Sequence, residues 1–82
     1  MNITDVAQTT ALIAVGRVWQ TTGARPLGRL LVRALASPRP MASTVAHMLL
    51  VQGGSRVLPL LTGSVSHEHA ARVRSDIAAS AA

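Results

Sequence analysis

The chain has 82 residues, enough for one small domain spanning 1–82 and not for two. Apolar residues make up 49% of it and charged ones 13%, which excludes ordinary intrinsic disorder. The net charge of +5 comes from eight arginines, with no lysine, against Asp5, Glu68 and Asp76, a balance that favours anionic partners.

The first helix starts at Thr4 or Asp5, either of which can cap it, with Gln8 three residues after Asp5 close to a capping box. Its apolar positions Val6, Leu12, Ile13, Val15, Val18 and Trp19 cover more than one face. Thr21-Thr22-Gly23 supplies the stop, glycine being the residue that tolerates the left-handed conformation after a helix. A second helix carries Pro26 in its first turn and Leu27, Leu30, Leu31, Ala34 and Leu35 on one side. Ser37-Pro38-Arg39-Pro40 breaks the chain and restarts it. The third helix places Met41, Val45, Met48 and Leu49 at helical spacing, with Ala42 and Ala46 beside them, and ends at Gly53-Gly54. A short fourth helix runs through Val57, Leu58, Leu60, Leu61 and Val65, with Pro59 near its start and Gly63 near its end. Ser66 opens a fifth, where Glu68 suits the helix dipole and Val73 and Ile77 supply apolar anchors. Period-two alternation persists nowhere, so the expected class is all-α with about five helices.

Shifted by 31 residues, the chain aligns with itself. Ala14-Val15 falls on Val45-Ala46, Val18-Trp19 on Leu49-Leu50, Gly23 on Gly54, Arg25 on Arg56, and Leu27 and Leu30 on Leu58 and Leu61. One residue further along, Met41-Ala42 and Val45-Ala46 fall on Val73-Arg74 and Ile77-Ala78. Gly54-Ser-Arg-Val-Leu-Pro-Leu-Leu61 and His69-Ala-Ala-Arg-Val-Arg-Ser-Asp-Ile-Ala78 resemble the glycine turn and the Val-Arg opening of HEAT-like helical repeats. The resemblance covers about residues 5–79. Met41-Ala42 stands where the middle unit of such an array would carry Val-Arg, and the usual acidic residue before it is missing. It implies a short α-solenoid of about two and a third helix pairs that acts as an interaction or assembly module without catalysis. It also implies a partner-binding surface on the second helices, and a packing role between repeats for Arg74. An array this short leaves apolar surface exposed, so it self-associates or docks on another protein.

Arg25, Arg29 and Arg33, at i, i+4 and i+8, form one basic stripe, read here as lying opposite Leu27, Leu30 and Leu31. With Arg56 they are the candidate partner-binding residues, either for carboxylates of an acidic protein or for phosphates. The alternative is a nucleic-acid binder without sequence specificity, against which the missing stacking aromatics weigh. A fragment of a longer repeat protein, without a function of its own, is a further alternative. His67-Glu68-His69 fails as a metal site because residues i and i+2 point apart on a helix, and His47 reads as a partly buried side chain. The serines, His67 and Asp76 have no strand-to-helix elbow to assemble a hydrolytic triad, and Gly53-Gly54-Ser55 lacks the lysine of a phosphate loop. No enzyme, cofactor or metal is therefore expected. Trp19 reads as a core anchor, and Gly16 and Gly28 as points of close helix packing. Without a membrane-length apolar run or a basic start to a leader segment, the chain is expected to be soluble and cytoplasmic.

Overall fold

The computed structural model describes residues 3–61 and 66–81. Four α-helices, α1 (Ile3–Thr22), α2 (Arg25–Leu35), α3 (Pro40–Gly53) and α4 (His67–Ala81), are joined by short turns and by one 3-10 segment, Gly54–Leu61. No strand occurs among the described residues, in agreement with the all-α expectation. The helix count differs by one. The stretch expected as a fourth α-helix is the 3-10 segment, because Pro59 has no N–H to give to an α-helical ladder. The expected end of that stretch at Gly63 and Val65 lies outside the described residues.

Punctuation explains most of the boundaries. Gly23 and Gly54, 31 positions apart, both adopt the left-handed backbone, with φ of 68° and 64°, so each takes the chain out of its helix where a β-carbon would be strained. Pro26 and Pro40 sit in the first turns of α2 and α3, where a missing N–H costs nothing. Ser66 opens α4 by accepting the backbone N–H of His69 at 3.3 Å. The start of α1 differs from expectation. The helix is already formed at Ile3, and Asp5 lies inside its first turn, where it is ion-paired with Arg39 from the α2–α3 connection instead of capping.

The helices pack around a shared core. The central helix α3 packs on α1, α2 and α4, α2 packs also on α1, and the 3-10 segment packs on α2, α3 and α4. The core between them contains Leu31, Val32 and Leu35 of α2, Ala46 and Leu50 of α3, Val57 and Leu61, and Val73 and Ile77 of α4. The buried edge of α3 is turned about one residue from the expected stripe. Ala42, Ala46, Leu50 and Gly53 are buried, whereas Met48 is 57% exposed. With neighbours on several sides, α3 needs small residues where the backbones come closest, and alanine and glycine provide them.

Trp19 is the hub of the N-terminal half, only 2% exposed, as expected of a core anchor. Three glycines make room for their neighbours. A β-carbon on Gly28 would lie 2.6 Å from Leu60 Cδ1 and 3.0 Å from Trp19 Nε1, and one on Gly16 would lie 2.8 Å from Leu49 Cδ2. On Gly53 it would lie 2.2 Å from Trp19 Cη2. Gly53, which the sequence offers only as part of a helix stop, thus does a second job as the floor beneath the indole.

Candidate functional site

The arginine stripe is built on α2, a helix anchored on its inner side by Gly28, Leu31, Val32 and Leu35. Arg25, Arg29 and Arg33 are all exposed. At 1.5 Å rise per residue the three positions step about 6 Å apart along the axis and span about 12 Å. The stripe is not opposite all the expected leucines. Leu30 is itself 46% exposed and neighbours Arg33 at i, i+3, while Val32 takes its place in the core. The outer surface of α2 is therefore a mixed one, Arg25, Pro26, Arg29, Leu30 and Arg33, combining guanidinium and apolar contacts as protein interfaces do.

The charge arrangement isolates this stripe. All three acidic side chains are engaged elsewhere: Asp5 with Arg39, Glu68 with Arg72 at 2.8 Å, and Asp76 with His47 at 2.5 Å. No acidic side chain is left to pair with Arg25, Arg29 or Arg33. Mutual repulsion at i, i+4 costs about 0.2–0.5 kcal/mol per pair, so the stripe is maintained at a small expense to α2. Arg56 is placed differently. Its guanidinium lies over the Trp19 ring, 5.4 Å from the centroid, and its Nε points to the Gly53 carbonyl at 3.5 Å. It covers the tryptophan, a packing role that competes with partner binding. Arg74 is exposed on α4, outside the packed face of that helix.

A second concentration of polar groups lines a depression of about 310 Å³ between α3 and α4, bounded by Ser43, Thr44, His47, His69, Arg72 and Asp76. Most of its donors and acceptors already have partners. Ser43 Oγ donates to the Leu35 carbonyl at 2.9 Å, His47 pairs with Asp76, and His69 Nδ1 is 2.9 Å from Ser66 Oγ. Ser43 is thus turned away from the nearby imidazoles, and no serine–histidine–aspartate relay is formed by these groups. Among the described residues, no three His, Cys, Asp or Glu side chains converge on a point where a metal ion could sit. The half-buried His47 is a helix-to-helix tie, a role that only the fold reveals, since Asp76 is 29 residues away.

Comparison of the chain with family models, with curated proteins and with solved structures finds no match. Function must therefore be argued from the site alone. No helix among the described residues is long and apolar enough to cross a membrane. Trp19, the one aromatic that could stack on a ligand, is enclosed by Gly28, Gly53 and Arg56.

Proposed function

We propose that this chain is a non-catalytic, cytoplasmic assembly module of HEAT-like helical-repeat type, a short α-solenoid that docks through the outer face of α2 on an acidic protein surface. The observation that carries the reading is the exposed row Arg25, Arg29 and Arg33, left without counter-charge because Asp5, Glu68 and Asp76 are paired elsewhere. A helix with carboxylates at i, i+4 and i+8 has the same spacing of about 6 Å and would meet the row side chain for side chain. Leu30, beside the row, supplies the apolar contact that gives such an interface affinity beyond charge pairing. The solenoid reading is supported by the packing of consecutive elements on one another, α1 on α2, α2 on α3, α3 on the 3-10 segment and that segment on α4, and by the positive-φ glycines 31 residues apart.

The test is a tagged pull-down with and without nuclease, followed by direct binding of the captured partner to the purified chain. Partner retention after nuclease, with at least tenfold weaker binding by the Arg25→Gln/Arg29→Gln/Arg33→Gln variant, is the expected result. Recovery that depends on intact nucleic acid, together with a steep loss of binding between 50 and 200 mM salt, would replace this reading with phosphate binding. Protein capture that the triple variant retains in full would refute the assignment of the stripe.

A further inference from the structure

The outer face of α2 carries more than the arginine row. Residues four apart on a helix form ridges, and Arg25, Arg29 and Arg33 make up one of them. One residue ahead of it, Pro26, Leu30 and Ala34 make up the next. Pro26 is exposed, Leu30 is 46% exposed, and Ala34 is half-buried against the core. No charge interrupts this second ridge, and no acid occurs anywhere in α2. The other positions of the helix, Leu27, Gly28, Leu31, Val32 and Leu35, are half-buried or buried, so these two ridges are its outer face.

We infer that the occupant of this face is an acidic amphipathic helix running antiparallel to α2, in which each carboxylate of a row spaced four apart is followed directly by an apolar residue. This deepens the docking function proposed above and rests on it; what it adds is the partner's pattern and direction. Charge selects the first row, because Asp5, Glu68 and Asp76 are paired elsewhere and the guanidinium row still lacks a counter-charge. The apolar ridge selects a helix. A sugar–phosphate backbone has no apolar side chain to set against Leu30, and an extended acidic strand points adjacent residues to opposite sides. On a helix, residues i and i+1 are about 100° apart and share a face, as Arg29 and Leu30 do. When ridges of this kind interlock, the rows of the two helices lie parallel and the axes cross at about 50°. Chirality then links order to direction. Seen from outside, residue i+1 of a right-handed helix always lies to the same side of residue i. Facing two helices reverses left and right once, and inverting one of them reverses it again. An antiparallel partner therefore meets arginine-then-apolar with acid-then-apolar, whereas a parallel partner needs apolar-then-acid. Antiparallel placement opposes the helix dipoles and brings acids of the partner's first turn to Arg33, in the last turn of α2.

The test uses synthetic alanine-rich helical peptides of about 18 residues, titrated into the full chain by calorimetry. One carries three Glu-Leu doublets, successive doublets starting four residues apart. A second carries the same residues as Leu-Glu doublets, and a third keeps the glutamates but replaces each leucine by alanine. The face is small, so the first peptide should bind with a Kd on the order of 100 µM, at least fivefold more tightly than the other two. Leu30→Gln, altered at an exposed position and checked for fold by circular dichroism, should remove that advantage and leave the affinity for the third peptide unchanged. A nitroxide at the N-terminus of the first peptide should broaden the amide resonances of Arg33 and Leu35 and spare that of Arg25. Equal binding of the three peptides, an advantage that survives Leu30→Gln, or no binding of the first peptide at about 1 mM would overturn the inference. Tighter binding of the Leu-Glu peptide, or broadening at Arg25 in place of Arg33, would overturn the antiparallel direction. If protein capture still depends on the three arginines, these failures leave the docking function standing; if the Arg25→Gln/Arg29→Gln/Arg33→Gln variant binds the first peptide in full, both fall.

Discussion

Substituting Gly53 by alanine tests whether the Trp19 site is as tightly closed as its geometry implies. The new β-carbon would sit 2.2 Å from Trp19 Cη2, 2.5 Å from Cζ3 and 2.8 Å from Val57 Cγ2. None of these can yield cheaply. The indole is a rigid ring whose other contacts include Gly28 and Arg56, and Val57 is fully buried. Overpacking of this kind costs about 1–3 kcal/mol, while replacing a glycine in α3 by alanine returns up to about 1 kcal/mol of helix propensity. The net expectation is a loss of about 1–2 kcal/mol, which for a domain this size lowers Tm by about 5–15 °C. Gly16→Ala is the internal control. Its β-carbon would meet the Leu49 side chain, at 2.8 Å and 2.9 Å from the two terminal methyls, and these can rotate aside. That variant should remain within about 0.5 kcal/mol of the parent, since propensity and crowding offset each other. Thermal melts followed by circular dichroism give the stabilities. Trp19 fluorescence gives a local readout, because no other aromatic residue is present. An unchanged or raised Tm for Gly53→Ala, or equal losses for the two variants, would refute the idea that the indole is held in a closed slot.

Two smaller perturbations probe how α4 is attached. Ser66→Ala removes the hydroxyl that accepts the His69 N–H and should cost about 1 kcal/mol, read as a lower Tm with the other helices' amide exchange unchanged below the global transition. Asp76→Asn loses the charge of the His47 pair, but Asp76 is 55% exposed, so the loss should stay below about 1 kcal/mol and shrink in high salt; a loss that salt does not alter would show that the tie is not electrostatic.

The sequence revealed the fold where punctuation and periodicity act alone. Gly23, Gly54, Pro26 and Pro40 mark real boundaries, because a left-handed turn or a missing N–H is a property of one residue. It was less informative wherever a position is decided by neighbours distant in the chain. The buried edge of α3 follows its alanines because helices press on it from several sides, a crowding that the apolar spacing of Met41, Val45 and Met48 does not encode. Leu30 and Val32 exchange their expected places for the same kind of reason, as α2 leans on α1 and α3 together. The 3-10 character of Gly54–Leu61 was not read from the sequence, where the leucines pointed to a short fourth helix; Pro59, which has no N–H to give, outweighs them in an eight-residue segment. At the candidate site, the spacing of Arg25, Arg29 and Arg33 was legible. The pairing of each acid with some other residue was not, since Asp5–Arg39 and His47–Asp76 join positions 34 and 29 apart.

That pairing pattern changes what the charge of +5 means. An excess of arginine in a sequence can be spread harmlessly over a surface, each cation near some acid. Here the three acids are spent on ties between or along helices, at the α1–α3 junction, the α3–α4 junction and the first turn of α4. Of the arginines left without an acid partner, Arg17, Arg56 and Arg74 are scattered over other elements, while Arg25, Arg29 and Arg33 fall together on the outer face of α2, which has no acid along its length. Like charges at i, i+4 weaken the helix that bears them, and α2 tolerates this because Leu31, Val32 and Leu35 bind it firmly to the core. Stability is thus supplied from beneath, by burial, while the outer face retains a charge density that serves no internal contact, and the strongest physical argument for a partner is that imbalance on α2.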